Sequence, residues 1–189
     1  VATRIVVSPA GLVLRPGEGA TLAAQVYDQN GLPMSGQTIR WTSSNASVVI
    51  GTDGQVTAGT AIDSSQIVGR VGNATSLPVT AVVAQTVAGA RLLPDAEVLA
   101  DPLPVDSAQT GLPGSRFAVR LGGAAPTVGQ IVLSSGGKRV AGRVLSSTPA
   151  ASGGHDVVFE TAGLAEIFEQ ARIVTRHEGA SLPVEFPSG

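Results

Sequence analysis

Two stretches decide the reading of this chain: Ile39-Arg40-Trp41-Thr42-Ser43-Ser44-Asn45 and, shortly after it, Asp53-Gly54-Gln55-Val56-Thr57-Ala58. In the first, Ile39 and Trp41 alternate with Arg40 and Thr42, which is the period of a strand with one buried face. Ser43-Ser44-Asn45 closes it with side chains that bond to nearby backbone. In the second, Asp53-Gly54 makes a turn and Gln55-Val56-Thr57 a short strand. Trp41 is the only tryptophan. Placed on such a strand, it is expected between two sheets, where truncating a large aromatic costs about 3–5 kcal/mol.

The same alternation continues in both directions. Ile5 and Val7 precede Ser8-Pro9-Ala10-Gly11, and Leu12 and Leu14 precede Arg15-Pro16-Gly17. Thr21 to Tyr27 places Leu22, Ala24 and Val26 on one face and ends in Asp28-Gln29-Asn30-Gly31, whose Asn-Gly pair supplies positive φ. Val48 and Ile50 lead into the Asp53-Gly54 turn. Ile67, Gly69 and Val71, then Leu77, Val79, Ala81 and Val83, complete the series. Roughly seven short strands with frequent turns over residues 1–85 predict an antiparallel sandwich.

The run from Ile5 to Val83 resembles the bacterial immunoglobulin-like group 2 (BIG2) domain. The resemblance rests on Val7-Ser8-Pro9, Leu14-Arg15-Pro16-Gly17, Thr21-Leu22-Ala23-Ala24, Tyr27-Asp28-Gln29-Asn30-Gly31 and the two stretches quoted first. It departs from the family pattern near Thr60 to Ser65, where a tighter glycine-rich link is usual. The resemblance implies an immunoglobulin-like module of exported and surface proteins, often in tandem, adhesins and invasin-like proteins among them. It implies no particular ligand, because fold and function separate freely.

From Ala84 to Pro113 the composition changes. Leu93-Pro94-Asp95, Asp101-Pro102-Leu103-Pro104 and Leu112-Pro113-Gly114 confine the backbone to extended conformations and remove hydrogen-bond donors. A domain boundary is expected near Thr86, giving a first domain over 1–85 and a second β domain over 86–189. In the second, Phe117, Val119 and Leu121 alternate, as do Ile131 and Leu133, and a turn at Ser135-Gly136-Gly137-Lys138 leads to Val140 and Val144. Val157 and Phe159 begin a further strand. Leu164, Ile167, Phe168 and Ala171 then fall at helical spacing and predict one short helix near 164–172. A final strand at Ile173–Thr175 or Leu182–Val184 closes the unit. The expected fold is mainly β: an immunoglobulin-like antiparallel β-sandwich followed by a small β-barrel or β-sandwich with one short helix.

Composition limits the function. Of the 189 residues, 43% are hydrophobic and 14% charged, against roughly 25% charged in an average soluble domain. With a formal net charge of −2, the chain has no electrostatic footprint for nucleic acid or anionic lipid. The absence of cysteine excludes disulfides, thiolate metal sites and a cysteine nucleophile. No stretch approaches the roughly 18 apolar residues of a membrane span. Val1-Ala2-Thr3-Arg4-Ile5 lacks a starting Met and the layout of an export signal, so the sequence reads as a processed chain or as a segment of a longer protein, the second favoured because the apolar pattern begins at once.

No residue stands out as catalytic, cofactor-binding or metal-ligating. Ser134-Ser135-Gly136-Gly137-Lys138 lacks the earlier glycine of a phosphate loop and no helix follows it, so a hairpin turn is expected. His155-Asp156 and His177-Glu178 are the only histidine–carboxylate neighbours. Adjacent strand residues point to opposite faces, and both pairs are expected as solvated turn residues. Asp28, Asn30 and Asp53 read as turn chemistry rather than a calcium loop, and no Gly-x-Ser-x-Gly elbow exists. Trp41, Phe117 and Phe159 lie on core faces, leaving Tyr27 and Phe186, too few aromatics for a sugar platform. Asn45-Ala46-Ser47 and Asn73-Ala74-Thr75 match the glycosylation acceptor pattern.

The expected function is a non-enzymatic extracellular module of a bacterial surface or secreted protein, acting as spacer, stalk or adhesion domain without a cofactor. Its expected partners are neighbouring domains of a longer chain and a surface protein or polysaccharide, with no nucleic acid and no membrane insertion. The alternative is a dedicated protein- or polysaccharide-binding module with its site on the second domain; an enzyme fused to a stalk is the third reading.

Overall fold

The computed structural model describes residues 1–105, 112–177 and 180–185 of the backbone, with side chains through residue 173 apart from 106–111. The chain divides into two compact units, one of residues 1–85 with the described residues from Gln170 on, the other Thr86–Glu169. The division differs at its C-terminal end from the expected 86–189: the segment from Gln170 groups with the first unit.

The first unit contains β1 (Ala2–Ser8), β2 (Gly11–Leu14), β3 (Gly19–Thr21), β4 (Ala23–Asp28), β5 (Pro33–Met34), β6 (Arg40–Ser43), β7 (Val48–Ile50), β8 (Gln55–Ala58), β9 (Asp63–Val71), β10 (Ala74–Thr75) and β11 (Val79–Val83). β3 and β4 are halves of one strand interrupted at Leu22, whose N–H donates to the Gly54 carbonyl instead of a ladder partner. One layer runs β7-β8-β3 and β5-β4-β1, and the other β6-β9-β11-β2 with β10 also on β9. The first strand is shared between the layers. β1 is antiparallel to β4, whereas β2 runs parallel to β11, pairing Gly11 to Leu14 with Thr80 to Val83. This is an immunoglobulin-type sandwich. Inward residues of both layers, including Leu12, Leu22, Val56, Ile67 and Val83, form its main core.

Trp41 is only half-buried, packed at the margin of that core rather than enclosed between the sheets. It lies opposite Gly69 on β9, and a Cβ added there would come within 3.0 Å of its ring. Glycine at that register position makes room for the indole.

β12 (Gln85–Thr86) is followed by the strands of the second unit: β13 (Arg91–Leu93), β14 (Leu103–Pro104), β15 (Arg116–Leu121), β16 (Ile131–Ser134), β17 (Ala141–Pro149) and β18 (His155–Thr161). They form one six-stranded sheet in the order β13-β16-β17-β18-β15-β14. Only Pro94 to Glu97, with a 3-10 turn at Asp95–Glu97, separates Leu93 on one edge from Val98, which bridges Leu121 on β15. That connection spans at most about 17 Å, while the edges of a flat six-stranded sheet lie about 24 Å apart. The sheet therefore curls into a small barrel around Leu93, Leu121, Val132, Val144, Val157 and Phe159. A register shift between Val144 and Ser146 helps bend β17.

The helix near 164–172 is a single turn, α1 (Leu164–Ile167), and from Phe168 the chain is extended as β19 (Phe168–Gln170), paired with β12. Of the four residues at that spacing, Ile167, Phe168 and Ala171 are buried and Leu164 is exposed. Four residues cannot sustain a helix alone, and strand pairing satisfies the backbone beyond them. β20 (Arg172–His177) and β21 (Ala180–Glu185) make an antiparallel hairpin rather than closing the second unit. β20 lies against β9 and β11, with Arg172 Nη1 3.9 Å from Asp63 Oδ1.

Candidate functional site

The second unit carries a shallow groove of about 550 Å³. Three elements build it: the lead-in Val87–Gly89, the turn Thr127–Ile131 into β16, and Arg143 on β17 facing Glu166 of α1. Its polar groups are matched to one another. Gln130 Nε2 donates to the Gly89 carbonyl at 3.2 Å, and Gln130 Oε1 accepts from the Thr127 N–H at 3.3 Å. Arg143 Nη2 lies 2.9 Å from Glu166 Oε1, while Glu166 Oε2 accepts the Gly163 N–H at 2.9 Å. The Gly163 N–H, then Arg143, hold the Glu166 carboxyl below its ordinary value of 4.5. The pair presents fixed donors and acceptors to a polar ligand, but an ionised, doubly engaged Glu166 is poorly suited to general-acid work at neutral pH.

Those residues singled out in the sequence that the structure describes are not among the residues lining this groove. His155 and Asp156 begin β18 rather than a turn, and Arg120 holds Asp156 by two bonds of 2.8 and 3.2 Å. That hydrogen bond and charge hold the Asp156 carboxyl below 3.8. The side chain of His177 and all of Glu178 and Phe186 lie outside the described residues. Asp28 Oδ1 accepts the N–H groups of Asn30 and Leu32, which lowers its carboxyl pKa, and Asp53 accepts from the Gln55 N–H. These are turn bonds. Asn45 joins Ser47 to the Ser64 carbonyl. Among the described residues no three histidine, aspartate or glutamate side chains converge on a metal-sized space. No helix there is long and apolar enough to cross a membrane.

The Ser134-to-Lys138 segment forms the β16–β17 turn, and its amides have a resident anion. Asp95 accepts the Gly137 and Lys138 N–H groups at 2.9 and 3.1 Å. Nothing local in the sequence announces this partner, which is far away along the chain.

These carboxylates set an expected acid response. Asp28, Asp156 and Glu166 are all depressed in the folded state. Each contributes stability that is present above its unfolded value, near 3.8 or 4.5, and is lost as pH falls through the lower folded value. Thermal melts between roughly pH 6 and pH 2 should show a falling midpoint, with a shallower slope in Asp156→Asn. An unchanged slope in that variant would remove the Arg120 pair from the account.

Comparison with known protein families finds no match, and no curated protein matches in sequence. Among solved structures, the chain is similar to domains 5-6 of the S-layer protein SbsC at 16% identity, covering 98% of this chain and 97% of that one, with a TM-score of 0.40. For domains 4 and 5 of the same protein the values are 24% identity, 44% of this chain, 52% of that chain and 0.38, so the match spans about half of that structure. The Yersinia pseudotuberculosis adhesin InvE matches at 16% identity over 96% of this chain and 58% of its own, with a TM-score of 0.30.

Proposed function

We propose that this chain is a non-enzymatic extracellular module of a longer bacterial surface or secreted protein, serving as a spacer, stalk or adhesion domain. The observation that supports it best is the parallel pairing of β2 with β11 in the first unit. Strands that run parallel resist opposed pulls on the start of one and the end of the other by loading every ladder bond together. A support under tension needs that geometry, and neither a groove nor a catalytic group is required for it.

The chain has no cysteine, so handles can be placed at will. Ala10→Cys with Gln85→Cys loads the β2–β11 ladder in shear, while Ala10→Cys with Pro78→Cys opens it one bond at a time; all three positions are exposed. Single-molecule pulling should give an unfolding force several-fold higher for the first pair. Equal forces would leave the stalk reading without a mechanical basis.

A second reading, a dedicated protein- or polysaccharide-binding module, is favoured by the groove around Gly129, Gln130, Arg143 and Glu166. Amide shifts at Gly129 and Gln130 on adding cell-wall polysaccharide would support it, and flat titrations would count against it.

A further inference from the structure

One register row of the first unit carries an arrangement that packing does not explain. Arg40 on β6 lies directly opposite Arg70 on β9, and Arg70 lies opposite Thr75 on β10. All three are exposed. They share the outward face: Ile67 and Gly69 on β9 and Ala74 on β10 are buried, and side chains alternate along a strand. Like charges directly opposite on neighbouring strands repel, and neither guanidinium has an ion-pair partner among the described residues.

The nearby acids are committed elsewhere. In residues 1–85, Glu18 bonds Arg15, Asp28 and Asp53 close their own turns, and Asp63 binds the Ser64 N–H and faces Arg172. The row therefore presents two planar forks and a hydroxyl, donors all, with side-chain bases about 5 Å apart across each pair. It sits where β6 begins and β9 turns into β10, at an end of the sandwich where loops gather. Two flexible guanidinium side chains rooted that close together can both close on one doubly charged oxyanion.

We propose that Arg40, Arg70 and Thr75 form a binding site for a phosphate-class dianion, either free or carried as a phosphoryl group on a larger molecule. This goes beyond the stalk reading and does not depend on it. Trp41, the only tryptophan, is next to Arg40 in sequence and opposite Gly69, on the core side of β6, so its emission reads the row only through the β6 backbone and the Arg40 and Arg70 amide shifts read it directly.

The test titrates the whole chain with inorganic phosphate at about pH 8, where the ion is doubly charged. Sodium chloride at equal ionic strength is the control, and Trp41 emission and the Arg40 and Arg70 amide shifts are followed. A second arm uses glucose 6-phosphate. Saturation by phosphate alone identifies a free ion, and equal saturation by both identifies a carried phosphoryl group; either supports the site. Arg70→Gln should weaken binding by about tenfold or more, the usual loss for one charge-assisted bond. In phosphate-free buffer the same variant should melt no lower than the parent, because it removes a repulsion. A response matched by chloride, no saturation by either probe, or undiminished binding in Arg70→Gln overturns the proposal.

Discussion

Phe159→Ala should cost the second unit about 3–5 kcal/mol, the usual range for deleting a buried phenyl ring. Phe159 is the largest fully buried side chain among the described residues, with 0% exposure. Its ring stacks on Phe117 with centroids 5.1 Å apart and planes 14° from parallel. It pairs with Phe117 on β15 and Val144 on β17, so it ties three neighbouring strands to one core. Truncation removes the stack and opens a void that strands on both sides are held too closely to fill. A unit of this size has a net stability on the order of 4–12 kcal/mol, so much of it disappears. Hydrogen exchange should show protection lost across β15, β17 and β18, with the β2–β11 ladder of the first unit retained. Phe159→Leu should recover part of the loss. Parent-like protection in the alanine variant would mean that the barrel core does not centre on this ring.

Gly54→Ala should be the most damaging single-methyl change in the first unit. Gly54 has φ of +84°, where a Cβ is strained. The added methyl would also overlap the Leu22 carbonyl, a backbone group that cannot swing aside. The Leu22 N–H in turn donates to the Gly54 carbonyl at 2.9 Å. Relief would have to break that bond and move Leu22, which is 2% exposed, out of the core. Backbone strain of about 1–3 kcal/mol adds to overpacking of about 1–3 kcal/mol. Gly31→Ala isolates the first contribution: its φ is +77° but its Cβ would meet nothing within 4 Å. Gly54→Ala should therefore lower the denaturation midpoint well beyond Gly31→Ala. Equal effects would show that the close approach to Leu22 relaxes freely.

The strands were legible where one face is buried and the other wet. Gln55 to Ala58 alternates exposed and buried as its sequence does, and Phe159 and Val157 are inside as expected. Of the apolar residues at helical spacing, Ile167, Phe168 and Ala171 are buried but Leu164 is exposed, and the spacing does not fix their conformation. A short run with several inward positions satisfies helix and strand periods alike, and the partner strand β12 is distant in sequence. Trp41 was misplaced for a related reason, since its depth depends on what lies opposite, and that is Gly69. The Arg40–Arg70 row and the Asp95 contact with the β16–β17 turn escaped entirely. Both arise from pairing across the fold, and no local spacing encodes them.

The parallel ladder between Gly11–Leu14 and Thr80–Val83 also fixes a timetable for synthesis. A chain made from its N-terminus must leave β2 unmatched until nearly the whole of residues 1–85 has emerged, and the β20 hairpin arrives later still. Residues 86–169, being continuous, can finish folding before that hairpin does. Long-range closure of this kind is slow. It leaves the nascent first unit incomplete until the last strand of residues 1–85 is made, an interval in which its core is open to water.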